Sequence, residues 1–178
     1  MKELFSNLSL IHWLFLLFFQ FFTVGILVFL FMKWFLRKEL RLYRNLKRPV
    51  MIITPSNSQG VKIESTEMEL ETRMLVKNGF FRIDNESTDF RSFNPRSNHC
   101  LVVLGYHPDM HGLDEVLTKV KMLQIPLIVF TYGKNINAIA QRDKTKLDSY
   151  PLTLYANFQL TLLNHIFTTL ATYPYEQK

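Results

Sequence analysis

From Leu4 to Met32 the chain has 29 consecutive residues without Asp, Glu, Lys or Arg, dominated by Phe and Leu. A helix needs only ~20 apolar residues to cross a bilayer. Two spans would need roughly forty, and between Leu8 and Leu36 the one residue among Gly, Pro and Asn is Gly25. The pattern therefore predicts one transmembrane helix and not a hairpin. A cleavable signal peptide has an apolar region of ~7–15 residues ending at small side chains, whereas this run ends at Lys33-Trp34-Phe35. That ending reads as an uncleaved anchor.

The pattern changes at residue 33. Residues 33–47 lack Gly and Pro, and Arg37, Arg41, Arg44 and Arg48 step by four, three and four, while Leu36, Leu40 and Tyr43 follow the same step on another face. Such spacing predicts a helical stem that continues the span until Pro49 stops it.

Beyond Pro49, short β-branched and aromatic runs alternate with helical stretches. Strands are predicted at 50–54, 80–84, 99–105, 125–131 and 152–156, and helices at 64–77, 112–123 and 158–171, the first of them ending at Asn78-Gly79. Near-continuous apolar strands alternating with helices predict a parallel sheet covered on both faces. The expected class is thus α/β: a single N-terminal transmembrane helix followed by a small doubly wound, mainly parallel, five-stranded Rossmann-like domain. Its divisions are 1–32 for the transmembrane helix, 33–48 for the basic helical stem and 49–178 for a cytosolic sensor domain.

Composition matters only when split along these divisions. Nine of the sixteen Phe lie in the first 36 residues, so the overall hydrophobic fraction of 48% averages two different materials. Of the net charge of +6, the stem carries all: residues 33–48 hold seven basic residues and one acid, and residues 49–178 hold thirteen of each sign. Positive residues flank spans on the cytoplasmic side, so the N-terminus is expected outside and the C-terminal domain in the cytosol, at the cell membrane. The basic run itself suits lipid headgroups. A neutral folded domain speaks against binding a DNA or RNA duplex, which is dominated by phosphate neutralisation. A single cysteine, Cys100, offers no disulfide framework and matches a reducing compartment. Within the span, Gln20 is a polar group that would seek a partner on another helix in lipid, which suggests a homo-oligomer.

In doubly wound sheets, ligands bind at the carboxyl ends of the strands, where strand order reverses. The loops expected there are 55–60, 106–112 and 132–135. The first is rich in small hydroxyl and amide residues before a helix, and Ser56, Asn57 and Ser58 are candidates to hold an anion such as a phosphate; the same residues are also the usual turn formers. Tyr106 and Tyr132 open the other two loops and could stack on a base. Lys134 is the basic residue at the expected sheet edge, suited to a ligand phosphate. His107 and His111 bracket Asp109 at a four-residue spacing, but Pro108 and Gly112 make this a loop without a second ligand cluster, so no metal is expected. No cofactor is expected either. A phosphoacceptor domain is excluded on chemistry, because the positions that need acids read Leu104-Gly105 and Thr54-Pro55.

With one N-terminal span joined to a small Rossmann-like domain, and with the strand-end loops 55–60, Gly105-Tyr106 and 131–135, the chain resembles the CRISPR-associated Rossmann-fold (CARF) proteins that carry a transmembrane helix, membrane effectors of bacterial antiphage signalling. That resemblance implies a dimer that binds a cyclic oligoadenylate-like second messenger at its strand ends and responds by perturbing the membrane. A second likeness lies in Leu101-Val102-Val103-Leu104-Gly105, Leu113-Asp114-Glu115-Val116-Leu117 and Ile125-Pro126-Leu127-Ile128-Val129, which are similar to the middle of a TIR domain. There a Glu on the helix after the strand cleaves NAD, which would make Glu115 the catalytic acid of a membrane-tethered hydrolase. The aromatic residue that precedes that Glu in the family is missing here, where the chain reads His111-Gly112-Leu113. A third reading is a non-catalytic interaction platform.

Overall fold

The computed structural model describes residues 2–63, 68–87, 90, 93–95, 100–134 and 136–173. It divides into two compact units, Met1–Leu42 and Tyr43–Lys178.

The first unit is built on helix α1, Lys2–Phe35. Its stretch Leu10–Phe35 is long and apolar enough to cross a membrane. At 1.5 Å per residue those 26 residues extend about 39 Å, more than the ~30 Å of a hydrocarbon core. Apolar side chains cover this helix on every side, as a lipid-facing helix requires. Two of its polar side chains differ in how they are satisfied. The Thr23 hydroxyl donates back to the Phe19 carbonyl at 2.8 Å, whereas the Gln20 amide has no partner among the described residues. Helix α2, Arg37–Leu46, follows after a single turn residue. The bonds from Leu36 N to Met32 O and from Leu40 N to Leu36 O carry the helical ladder across the junction.

The second unit begins at the end of α2, where Asn45 and Leu46 are buried and the Lys47 ammonium donates to the Gly79 carbonyl at 2.9 Å. Five strands then form one sheet: β1 Pro49–Ile53, β2 Arg82–Ser87, β3 Leu101–Gly105, β4 Leu127–Phe130 and β5 Thr153–Ala156. Their order is β2-β1-β3-β4-β5, and every pairing is parallel. This is the doubly wound α/β architecture that the alternating pattern predicted.

Successive side chains along β3 point to opposite faces and define two cores. Leu101 and Val103 belong to one, with Val50, Ile52, Ile128 and Phe130, covered by α3 (Glu69–Asn78) and α6 (Gln159–Thr172). Val102 and Leu104 belong to the other, with Leu127 and Val129, covered by α4 (Leu113–Met122) and α5 (Gln141–Asp148). Phe90 and Phe93, from the β2–β3 connection, fill the second core as well. Helix α3 ends where the sequence indicated, at Gly79 with φ of +70°, a conformation that costs glycine nothing.

Helix α5 has no counterpart among the predicted elements. Its sequence, Gln-Arg-Asp-Lys-Thr-Lys-Leu-Asp, buries only Leu147, so it carries no apolar periodicity to detect.

Candidate functional site

The connection from β1 through α3 leads to β2 on one side, and that from β3 through α4 leads to β4 on the other. Strand order therefore reverses between β1 and β3, and their carboxyl ends diverge.

After β1 the chain folds into a tight hairpin. The Asn57 side-chain oxygen accepts from the backbone N–H of both Gln59 and Val61 at 3.0 Å, and Ser56 bridges Lys62 in an antiparallel pair. Ser56 is buried, with its carbonyl taking the His111 N–H at 3.0 Å, and Ser58 lies exposed at the tip. Asn57 thus engages the N–H groups that a phosphate would otherwise meet. Helix α3 starts only at Glu69, and residues 64–67, the start of the predicted helix, lie outside the described residues.

After β3, Tyr106 turns into the core at 4% exposure. Its hydroxyl donates to Asp143 at 2.9 Å and accepts from the Ala140 N–H at 3.0 Å, tying the end of β3 to the start of α5. Burial pushes this phenol up to about 12, and the Asp143 carboxylate adds to the rise. His107 Nδ1 stands 3.6 Å from the Asp109 carboxylate, while His111 is exposed. Among the described residues no group of three His, Cys, Asp or Glu is placed to hold a metal.

After β4 the chain makes a pinned turn. The Thr131 N–H donates to Ala156 O, the Gly133 N–H to Asn157 O and the Lys134 N–H to Thr131 O; the Thr131 hydroxyl donates to Lys134 O at 2.7 Å. These bonds hold Tyr132 at φ of +51°, a left-handed conformation that costs a bulky residue roughly 1–3 kcal/mol. The strain delivers the phenol across the carboxyl edge of the sheet. Its ring meets Phe130 edge-on at 5.1 Å, and its hydroxyl occupies the space that a side chain at Gly105 would fill, beside Pro55. Lys134 is exposed one turn further on.

Beside Tyr132 opens a cleft of about 470 Å³, lined by Glu71, Phe130, Tyr132, Gly133, Asn157, Phe158, Gln159 and Leu160. Such a volume suits a small-molecule ligand. Glu71, at 7% exposure in the first turn of α3, accepts one hydrogen bond, from the Gln159 amide at 3.2 Å. Phe158 stands exposed at the rim. Of the residues singled out in the sequence, Tyr132 lines this cleft; Ser56, Asn57, Ser58, Tyr106, Lys134 and Glu115 do not. Glu115 is exposed on α4, beside Asp114, whose carboxylate takes the Lys146 ammonium at 2.6 Å.

Glu71, Asn157, Phe158 and Gln159 escaped the sequence reading. The signal was the fifth strand: its carboxyl end lies on the same edge as the others, so the loop at Asn157 belongs with the other strand-end loops.

Fold and cleft define a doubly wound α/β domain with a ligand-sized cleft at its strand ends, on a chain with one helix among the described residues long and apolar enough to span a membrane. No protein-family model, curated protein or solved structure matches this chain.

Proposed function

We propose that this chain is a membrane-anchored sensor and effector. Its domain, in the cytosol with the N-terminus outside, binds a nucleotide second messenger of the cyclic oligoadenylate kind, and its membrane helices associate as a homo-oligomer that perturbs the bilayer in antiviral defence. The observation that carries the binding step is Tyr132, held in a strained conformation at the mouth of a cleft on the edge where doubly wound folds take their ligands. The seven basic residues of the stem support the orientation.

The position of Leu160 supports a route from ligand to association. Leu160, on α6, lines both the cleft and a second, apolar groove of about 320 Å³ with Leu46, Phe80, Phe81, Leu163 and Phe167. A ligand seated in the cleft acts on that groove through Leu160, and the occupant of the groove is a second copy of the chain. Tethering confines copies to one plane and raises their effective concentration, so a modest apolar surface suffices. The ligand must prefer one association state, since equal affinity for both shifts nothing. The hydrolase alternative needs Glu115 at the ligand, and Glu115 stands apart from the cleft lining.

The test is the full chain in lipid nanodiscs, with melting temperature and mass measured against a panel of cyclic and linear nucleotides. A ligand that binds the native state raises the melting temperature by mass action. One cyclic nucleotide is expected to do so and to change the mass of the assembly; a folded chain that responds to none refutes the sensor reading.

A further inference from the structure

The cleft beside Tyr132 contains an acid that the sensor reading does not by itself explain. Glu71 is more than nine-tenths buried and lines the cleft. One carboxylate oxygen takes the Gln159 amide, and the other has no partner among the described residues. That oxygen is not among the sealed polar atoms left without a partner, so it stays open to a donor that enters the cleft. A carboxylate can only accept, and its charge repels phosphate, so the group it awaits is an N–H or O–H donor. Around it stand the aromatic side chains of Tyr132 and Phe158, which offer a face for a flat ring, and the amide side chain of Asn157, which can both donate and accept.

We propose that the cleft selects its ligand by the exocyclic amino group of a nucleobase, which donates to Glu71 while the base lies against Phe158 and Tyr132. The proposal rests on the nucleotide reading and adds to it the chemical group that is recognised. The phosphates, repelled by Glu71, project away from the cleft toward solvent. A base with a carbonyl in place of the amino group sets two acceptors against each other and is rejected.

Matched pairs that differ only in this group provide the test: adenosine against inosine nucleotides and cytidine against uridine nucleotides, by equilibrium dialysis with the full chain in nanodiscs. A hydrogen bond to a charged group distinguishes the members of a pair by roughly ten- to a hundredfold, and that preference for the amino member is expected. Glu71→Gln keeps the shape of the side chain but places a donor beside the base, and is expected to compress the preference to within a few-fold. Continued resistance of the buried Cys100 to thiol reagents will verify that this variant is folded. Equal binding of both members by the unaltered chain overturns the role of Glu71 and leaves nucleotide sensing standing. Glu71 loses that role equally if the folded Glu71→Gln variant keeps the full preference. Absence of binding by every member overturns both.

Discussion

At Gly105 a missing side chain shapes the site. A Cβ there would overlap the Tyr132 hydroxyl and meet Pro55 Cδ at 2.9 Å. Gly105→Ala must therefore push the phenol off the sheet edge, at a cost of about 1–3 kcal/mol typical of overpacking, and weaken the proposed ligand binding with it. Removing the hydroxyl by Tyr132→Phe relieves part of the overlap, so the double variant should be more stable than the sum of the single losses predicts. Denaturant unfolding of the four chains measures this coupling. Strictly additive losses would mean that Gly105 does not hold Tyr132 where it lies.

At the scale of elements, buried phenols join segments that share little apolar surface. Tyr106 fastens β3 to the start of α5, and the Tyr150 hydroxyl, just past the end of α5, sits within hydrogen-bonding distance of the Val120 and Ile125 carbonyls. The native state holds the Tyr106 proton up to about 12, chiefly because of burial, while an unfolded tyrosine releases its proton near 10. Folded chain then binds more protons than unfolded chain between these values, so stability is level below pH ~10 and falls from there toward pH 12. Burial raises Tyr150 and Tyr155 as well, which extends the fall. Tyr106→Phe should flatten part of this slope and, by leaving the Ala140 N–H and Asp143 unpaired, lower stability at neutral pH by about 1–3 kcal/mol. Chemical denaturation at pH 8 to 11 gives both quantities, and an unchanged alkaline slope would remove Tyr106 as its source.

Elements also mark how far the sequence could be read. The central strands were legible because a strand buried on both faces is apolar throughout, as in Leu101-Val102-Val103-Leu104, whereas β2 is a mostly polar edge strand that the expected 80–84 met only at residues 82–84. Helix α5 was not, since a helix that buries one leucine has no periodicity. Tyr132 was legible as a strand-end residue. Glu71 was not, because an acid on a helix looks solvated in sequence until another helix packs over it, as α6 does here through Gln159.

For the molecule as a whole, the helix able to span a membrane has to do more than tether if the proposed sensing is to reach a bilayer. Gln20 is its marker: an amide without a partner among the described residues, near the middle of an apolar helix. Gln20→Leu is expected to insert normally yet weaken self-association up to roughly tenfold, the value of an interhelical polar contact in lipid. Energy transfer between labelled copies in vesicles reads this directly. Unchanged transfer would assign oligomerisation to the sheet domain alone.

The order of elements along the chain has a consequence for how the protein is made. Helix α1 leaves the ribosome before any strand, and α6, which covers Val50, Leu101 and Ile128, leaves after every strand it protects. In a chain whose apolar helix enters a bilayer as it is made, the part of this sheet face that α6 covers stays open until synthesis is nearly complete, and the contacts that close it are far apart in sequence and slow to form. A ribosome that stalls before residue 159 would then release a chain with that apolar surface uncovered, the kind of species on which chaperones and proteases act.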